Sequence, residues 1–250
     1  MDKKSIVAGN WKMNKTQVEA KEFIKNLAPL IQSARASVYI SPSFTALQES
    51  IAAANNTNII IGAQNMHDET DGAFTGEISG GMLKALGVEF VLLGHSERRH
   101  VFQEDSVFIN RKLLRALKDG LQPILCIGET QKEREEKKTE SVLEEQFLKG
   151  IQNVSKEDAL NIIIAYEPVW AIGTGKTATS EIAEHVHSFI RKLIVKHFDN
   201  EISKNMHILY GGSVKPQNVE ELMQQENIDG VLVGGASLDY KIFAEIINKA

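Results

Sequence analysis

Phe90-Val91-Leu92-Leu93 opens a stretch that runs through Val107, Phe108, Leu113, Leu114 and Leu117 to Gly120 and ends on Ile124-Leu125-Cys126-Ile127. Both ends are unbroken apolar runs, and the middle spaces its apolar residues as one face of a helix. A strand in a half-solvated antiparallel sheet alternates apolar and polar residues. A continuous run requires cover on both faces, as in a parallel sheet. Parallel neighbours need a crossover, which the amphipathic middle supplies. The stretch therefore reads strand, helix, parallel strand.

The same unit extends in both directions. Further runs stand at Ile6-Val7-Ala8, Val38-Tyr39-Ile40, Ile59-Ile60-Ile61, Ile162-Ile163-Ile164, Ile208-Leu209-Tyr210 and Val231-Leu232-Val233, which makes eight in all. Amphipathic segments lie between them. After Thr16 come Val18, Phe23, Ile24, Leu27, Leu30 and Ile31; from Glu181 to Phe198 come Ile182, Val186, Phe189, Ile190, Leu193 and Ile194. Glu129 to Lys149 opens with the charged run Lys132 to Lys138, read as a solvated helix face. Eight strands alternating with helices, with no linker or composition shift, predict a (β/α)₈ barrel rather than a doubly wound sheet. Residues 1–250 are expected to form a single domain.

The 250 residues carry 28 Lys and Arg against 33 Asp and Glu, a net charge of −5. That balance argues against nucleic acid, which calls for a strongly basic face. A chain of this length can bury roughly three quarters of its unfolded surface, so it needs no disulfide or metal staple. The one cysteine, Cys126, cannot form an internal disulfide, and a reducing, cytoplasmic setting is expected. Ile6-Val7-Ala8 stops at Gly9-Asn10, too short for a signal peptide core. No run reaches the ~18 apolar residues of a membrane span. Asn14, Asn55 and Asn153 begin glycosylation sequons that read as chance matches in that setting.

Polar and glycine residues gather just after the runs: Asn10-Trp11-Lys12, His95-Ser96-Glu97, Gly128-Glu129, Glu167-Pro168, Gly211-Gly212-Ser213 and Gly234-Gly235. A parallel barrel points all its strand ends to one rim, so these groups are expected to converge there. Paired glycines make tight turns, but two pairs on adjacent strands favour a phosphate site built from backbone N–H groups. Glu167 is placed as a general base and His95 as an acid or electrophile. Each alone would read as a solvated carboxylate or a structural histidine; a shared rim weakens that. If Ser96-Glu97 start a helical turn, its positive end favours neutral His95, and Lys12 adds positive charge. His185 and His187 fall on different helix faces, and the other histidines show no ligand spacing, so no metal is expected. Cys126 reads as core packing.

Gly173-Thr174-Gly175-Lys176-Thr177-Ala178 lacks the first glycine of a P-loop, because that position is Trp170. It does fit the dinucleotide pattern at Gly173, Gly175 and Ala178, but Glu167 to Ile172 separate it from the strand, which weakens that reading. A rim loop that closes over ligand, with Pro168-Val169-Trp170 at its start and Ala171 to Gly175 at its tip, accounts for it better.

Five segments together resemble the triosephosphate isomerase family: Asn10-Trp11-Lys12-Met13-Asn14, Gly94-His95-Ser96-Glu97-Arg98-Arg99, Ala165-Tyr166-Glu167-Pro168-Val169-Trp170-Ala171-Ile172-Gly173-Thr174-Gly175-Lys176, Tyr210-Gly211-Gly212-Ser213-Val214 and Gly230 to Leu238. They cover the chain in family order. The resemblance implies a TIM barrel that interconverts dihydroxyacetone phosphate and glyceraldehyde 3-phosphate, a step of glycolysis and gluconeogenesis, through an enediol(ate). It assigns Glu167 to the carbon proton, neutral His95 to the oxygens, Lys12 and Asn10 to the developing charge and Glu97 to Lys12. It assigns the phosphate to N–H groups of Gly173, Ser213, Gly234 and Gly235, and calls for no cofactor. It also implies a homodimer in which the long loop from Gln64 to Ser79 brings Thr75 to the neighbouring subunit; by itself that loop reads equally as a surface insertion. An oxidoreductase using the glycines near Gly173, and a phosphate-binding scaffold without catalysis, are the competing readings. Asn10, Lys12, His95 and Glu167 standing together argue against the scaffold.

Overall fold

The computed structural model describes residues 3–172 and 178–250. Its strands are β1 (Ile6–Asn10), β2 (Ser37–Ser41), β3 (Ile59–Ala63), β4 (Phe90–Leu93), β5 (Gln122–Ile127), β6 (Ile163–Tyr166), β7 (His207–Tyr210) and β8 (Gly230–Val233). Each pairs in parallel with its sequence neighbours, and β8 returns to β1, closing the barrel. The helices are α1 (Gln17–Leu27), α2 (Leu47–Ala54), α3 (Gly80–Leu86), α4 (Ser96–His100), α5 (Ser106–Lys118), α6 (Gln131–Glu135), α7 (Thr139–Gly150), α8 (Lys156–Ala159), α9 (Ser180–His197), α10 (Asn200–Asn205), α11 (Val219–Met223) and α12 (Tyr240–Lys249). Among these, no helix is long and apolar enough to cross a membrane.

The continuous apolar runs have a direct cause. Alternate strand residues enter two separate cores. Ile6, Ala8, Tyr39, Phe90, Leu92, Ile124, Cys126, Ile163, Ala165, Leu209 and Leu232 fill the barrel interior. Val7, Val38, Ile40, Val91, Leu93, Leu125, Ile127, Ile164, Tyr166, Ile208, Val231 and Val233 pack outward against the helices. With both faces dry, neither parity can be polar. Cys126 is buried in the inner core, as its sequence position suggests. Gly62 leaves the space that Phe90 needs, since a Cβ there would lie 2.3 Å from the Phe90 ring.

Several helical expectations change in detail. Thr16 caps α1 with Glu19 as a reciprocal capping box, but Val18 and Leu30 face solvent instead of the core. Pro29 ends the regular helix, and Ala28–Ile31 tighten into a 3₁₀ turn that buries Ile31. Val107 in α5 is likewise exposed, while Ile109 and Leu113 are buried. Glu129 to Lys149 is two helices. α6 ends at Glu135, and Lys137 turns the chain with φ 58° before α7 begins. The charged run is solvated, with Lys132 to Glu135 in α6 as expected and Glu136 and Lys137 in the turn that ends it.

Candidate active site

Strand parity aims the first site residues. Asn10, the last residue of β1 and paired with Ser41 of β2, continues the inward series Ile6, Ala8, and Glu167, just past the end of β6, continues Ile163, Ala165. Each therefore enters the barrel mouth at the C-terminal rim. His95 would face outward by the same count from Phe90 and Leu92. Gly94 prevents that: its φ of 69° breaks the strand and turns the next residue back to the mouth. His95 then caps α4, its Nδ1 accepting the Glu97 N–H at 3.2 Å. The expected helical turn after His95 is thus present, as a helix of five residues.

A cavity of about 410 Å³ opens there, lined by Asn10, Lys12, His95, Glu167, Ser213, Gly234 and Gly235 among others. Glu97 stands behind it, with its Oε1 2.6 Å from Lys12 Nζ. Of the expected lid tip, Ala171 to Gly175, residues 173–175, Gly173 among them, lie outside the described residues, as do 176 and 177. The lid's first residues form a single 3₁₀ turn, Val169–Ala171, after Pro168. A second 3₁₀ turn, Gly235–Leu238, follows β8 and presents its amino end beside the glycine pair.

His95 Nε2 lies 3.0 Å from Glu167 Oε1, and the Ser96 N–H donates to Glu167 Oε2 at 2.8 Å. Both side chains are almost sealed from solvent. Burial alone would raise the Glu167 carboxyl, but the His95 ring, the Ser96 amide and the Lys12 ammonium outweigh it and hold the group below its ordinary range. His95 shows the converse: burial opposes the imidazolium, and the adjoining carboxylate overcomes that and raises it. The amide directed at Nδ1 keeps that nitrogen an acceptor, which puts the ring proton on Nε2, facing Glu167.

Other contacts hold this set, and the sequence motifs announced none of them. Lys12 has φ 54°, a conformation worth about 1–3 kcal/mol of strain in a non-glycine residue. Asn10 Oδ1 accepts its N–H at 3.0 Å, and Gln64 Nε2 donates to its carbonyl at 2.8 Å and to Ser41 O at 2.9 Å. Arg99 joins two strand ends, donating to Gly94 O at 2.8 Å and Cys126 O at 3.0 Å. Glu129 is fully buried, its Oε1 accepting from Trp170 Nε1 at 2.9 Å and Tyr166 Oη at 3.2 Å. These are contacts across long sequence separations, so no local spacing announces them. Gly211 leaves room beside the base, since a Cβ there would lie 3.0 Å from Glu167 Cγ. Among the described residues no three His, Cys, Asp or Glu side chains converge as a metal site.

A buried carboxylate, an imidazole and an ammonium facing a glycine-lined mouth suit proton transfer on a small phosphorylated molecule. Comparison with known proteins agrees. The family model described as triosephosphate isomerase matches residues 5–250. A triosephosphate isomerase of Carboxydothermus hydrogenoformans is 51% identical over 247 residues, 98% of each chain. That of Alkaliphilus metalliredigens is 49% identical over 246 residues, 98% of this chain and 99% of its own. That of Protochlamydia amoebophila is 48% identical over 243 residues, 97% of this chain and 92% of its own. With a matching closed barrel and matches along nearly its whole length, the chain belongs to the triosephosphate isomerase family.

Proposed function

We propose that residues 1–250 act as one barrel domain that interconverts dihydroxyacetone phosphate and D-glyceraldehyde 3-phosphate, the isomerisation shared by glycolysis and gluconeogenesis. The observation that carries the assignment of roles is the contact of Glu167 with His95 at a cavity that also holds Lys12 and both glycine pairs. Glu167 removes a proton from the carbon beside the carbonyl and returns it to the neighbouring carbon. His95 donates to the oxygen that becomes negative and moves the hydroxyl proton between the two oxygens. Both protons stay with the product, so the balance needs no metal, nucleotide or external oxidant.

An α-carbon proton is too weakly acidic for a carboxylate unless the oxyanion is stabilised as it forms. Lys12 and the Nε2–H of His95 supply that field, and Asn10 completes it. The resting Glu167 is tied to His95 and Ser96. Substrate takes over the His95 proton donor and frees the carboxylate. Its lost partners no longer lower it, while its burial still raises it, so the base strengthens where it is used. N–H groups of Gly173, Ser213, Gly234 and Gly235 hold the phosphate, away from the reacting carbons. Closure of the segment from Pro168 to Ala178 excludes water and retains the enediolate.

A homodimer belongs to the same reading. Residues 71–77, including Thr75, are exposed on the β3–α3 connection. Met13, Phe74, Val101 and Phe102, on three rim connections, are large apolar side chains left uncovered. A cytoplasmic location is supported by the lone, buried thiol of Cys126. The test of the activity is a coupled isomerase assay of wild type, Glu167→Asp and His95→Gln. A wild-type chain without turnover, or variants as fast as wild type, would overturn the assignment. Sedimentation of wild type and Thr75→Arg tests the dimer, with monomers expected for the variant alone.

A further inference from the structure

Gly128 directly follows β5, and its backbone is gripped from outside the barrel. The Gly128 N–H donates to Gln146 Oε1 at 2.9 Å, and Gln146 Nε2 donates back to Gly128 O at 3.0 Å. One carboxamide on α7 therefore satisfies both polar groups of one glycine, and rotating it by half a turn would lose both bonds.

Gly128 lies directly against the backbone of Glu167. A Cβ on Gly128 would fall 1.8 Å from the Glu167 carbonyl oxygen and 2.7 Å from its carbon. On either side of that contact the β5 and β6 ends are tied: Glu167 N–H donates to Ile127 O at 2.8 Å and Val169 N–H to Glu129 O at 3.1 Å. The gripped glycine thus stands between a bond made by the base's own N–H and one made by Val169, two residues further on. Gln146 itself does not line the cavity.

We infer that Gln146 is a positioning residue for the Glu167 base, acting through the Gly128 peptide that its carboxamide holds against the Glu167 backbone. The inference rests on Glu167 being the base. Without Gln146, two partly buried polar groups of Gly128 lose their partners. Glycine has the widest freedom to re-aim such a peptide towards water. The ladder bonds beside it then carry the displacement into Glu167 and, through Glu129, into the start of the lid. Phosphate contacts at the ends of β7 and β8 are untouched. Turnover should fall while substrate affinity holds.

The experiment compares full-length wild type, Gln146→Leu, Gln146→Glu, Phe147→Leu and Glu167→Asp by steady-state kinetics, circular dichroism and thermal unfolding. Gln146→Leu keeps the volume and loses both bonds; kcat is expected to drop about tenfold to a hundredfold with KM within about twofold. Gln146→Glu keeps the acceptor, and its carboxyl can donate to Gly128 O once protonated. Its kcat, taken as a ratio to wild type, should therefore recover as pH falls. Phe147→Leu loosens the same helix in the core and should lower thermal stability with kcat unchanged. Wild-type kcat in folded Gln146→Leu overturns the inference, as does an equal fall in Phe147→Leu. Should Gln146→Leu fail to fold, a Gln146→Glu ratio that stays flat with pH overturns it. A wild-type chain without turnover, or Glu167→Asp at full rate, instead removes the reading of Glu167 on which it depends.

Discussion

His95 Nε2 and Glu167 Oε1 stand 3.0 Å apart, so under the proposed roles the resting carboxylate is held by the group that turns to substrate when the reaction begins. Any change in the reach of Glu167 acts on both the resting and the reacting arrangement. Glu167→Asp withdraws the carboxylate by about one methylene and is expected to lower kcat at least ~10²-fold with the fold intact. Steady-state kinetics beside circular dichroism checks both halves of this statement.

Lys12 holds its charge at the mouth through Glu97 at 2.6 Å, on a backbone kept in the left-handed region by Asn10 and Gln64. Lys12→Met keeps the stem and removes the ammonium. A charged hydrogen bond is worth about 1.5–3 kcal/mol, so KM for triose phosphate should rise about ten- to a hundredfold. Inhibition by inorganic phosphate should weaken in parallel. An unchanged KM would take Lys12 out of substrate binding.

Glu104 is buried between two cations, 2.7 Å from Lys112 Nζ and 2.5 Å from Arg98. Removing the shared anion strands both, whereas removing Lys112 leaves Arg98 to balance the carboxylate. Glu104→Gln is therefore expected to cost about 3–5 kcal/mol and Lys112→Met clearly less. Urea unfolding at one protein concentration measures the order, and the reverse order would disprove the argument.

His187 is fully buried beside the Tyr166 and Tyr210 rings, its Nδ1 3.3 Å from Asn227 O. Burial pushes it down from 6.5 to about 4, against the weaker pull of that carbonyl. The unfolded chain binds the proton first as pH falls, so stability is full above about pH 6.5 and declines towards pH 4, by about 3 kcal/mol. His207 is also lowered by burial and adds to the same slope. His95 is raised and works in the opposite direction; Glu167 is lowered, so its stabilisation is present above the ordinary carboxylate range and is lost only as pH falls through and below that range. His187→Gln should flatten the fall of the urea midpoint between these pH values, and an unaltered slope would show that His187 is not its source.

Sequence alone determined the barrel and the membership of its rim. A parallel strand covered on both faces has to be apolar at every position, so Ile124 to Ile127 and Ile162 to Ile164 announce themselves without any alignment of distant parts. Asn10, His95 and Glu167 were legible because each lies within three residues of the end of such a run, and a closed parallel barrel sends all run ends to one side. Tertiary structure decided the aim and support of those side chains. Gly94 turns His95 inward, the Ser96 amide rather than a second side chain joins His95 in holding Glu167, Gln64 and Arg99 tie strand ends that lie far apart in sequence, and Gln146 grips Gly128 from α7. Exposure of Val18 and Val107, and the break between α6 and α7, were settled the same way. Periodicity records which residues can be buried. Only the packed neighbours decide which ones are, because hydrogen bonds and close contacts between distant segments leave no local pattern in the chain.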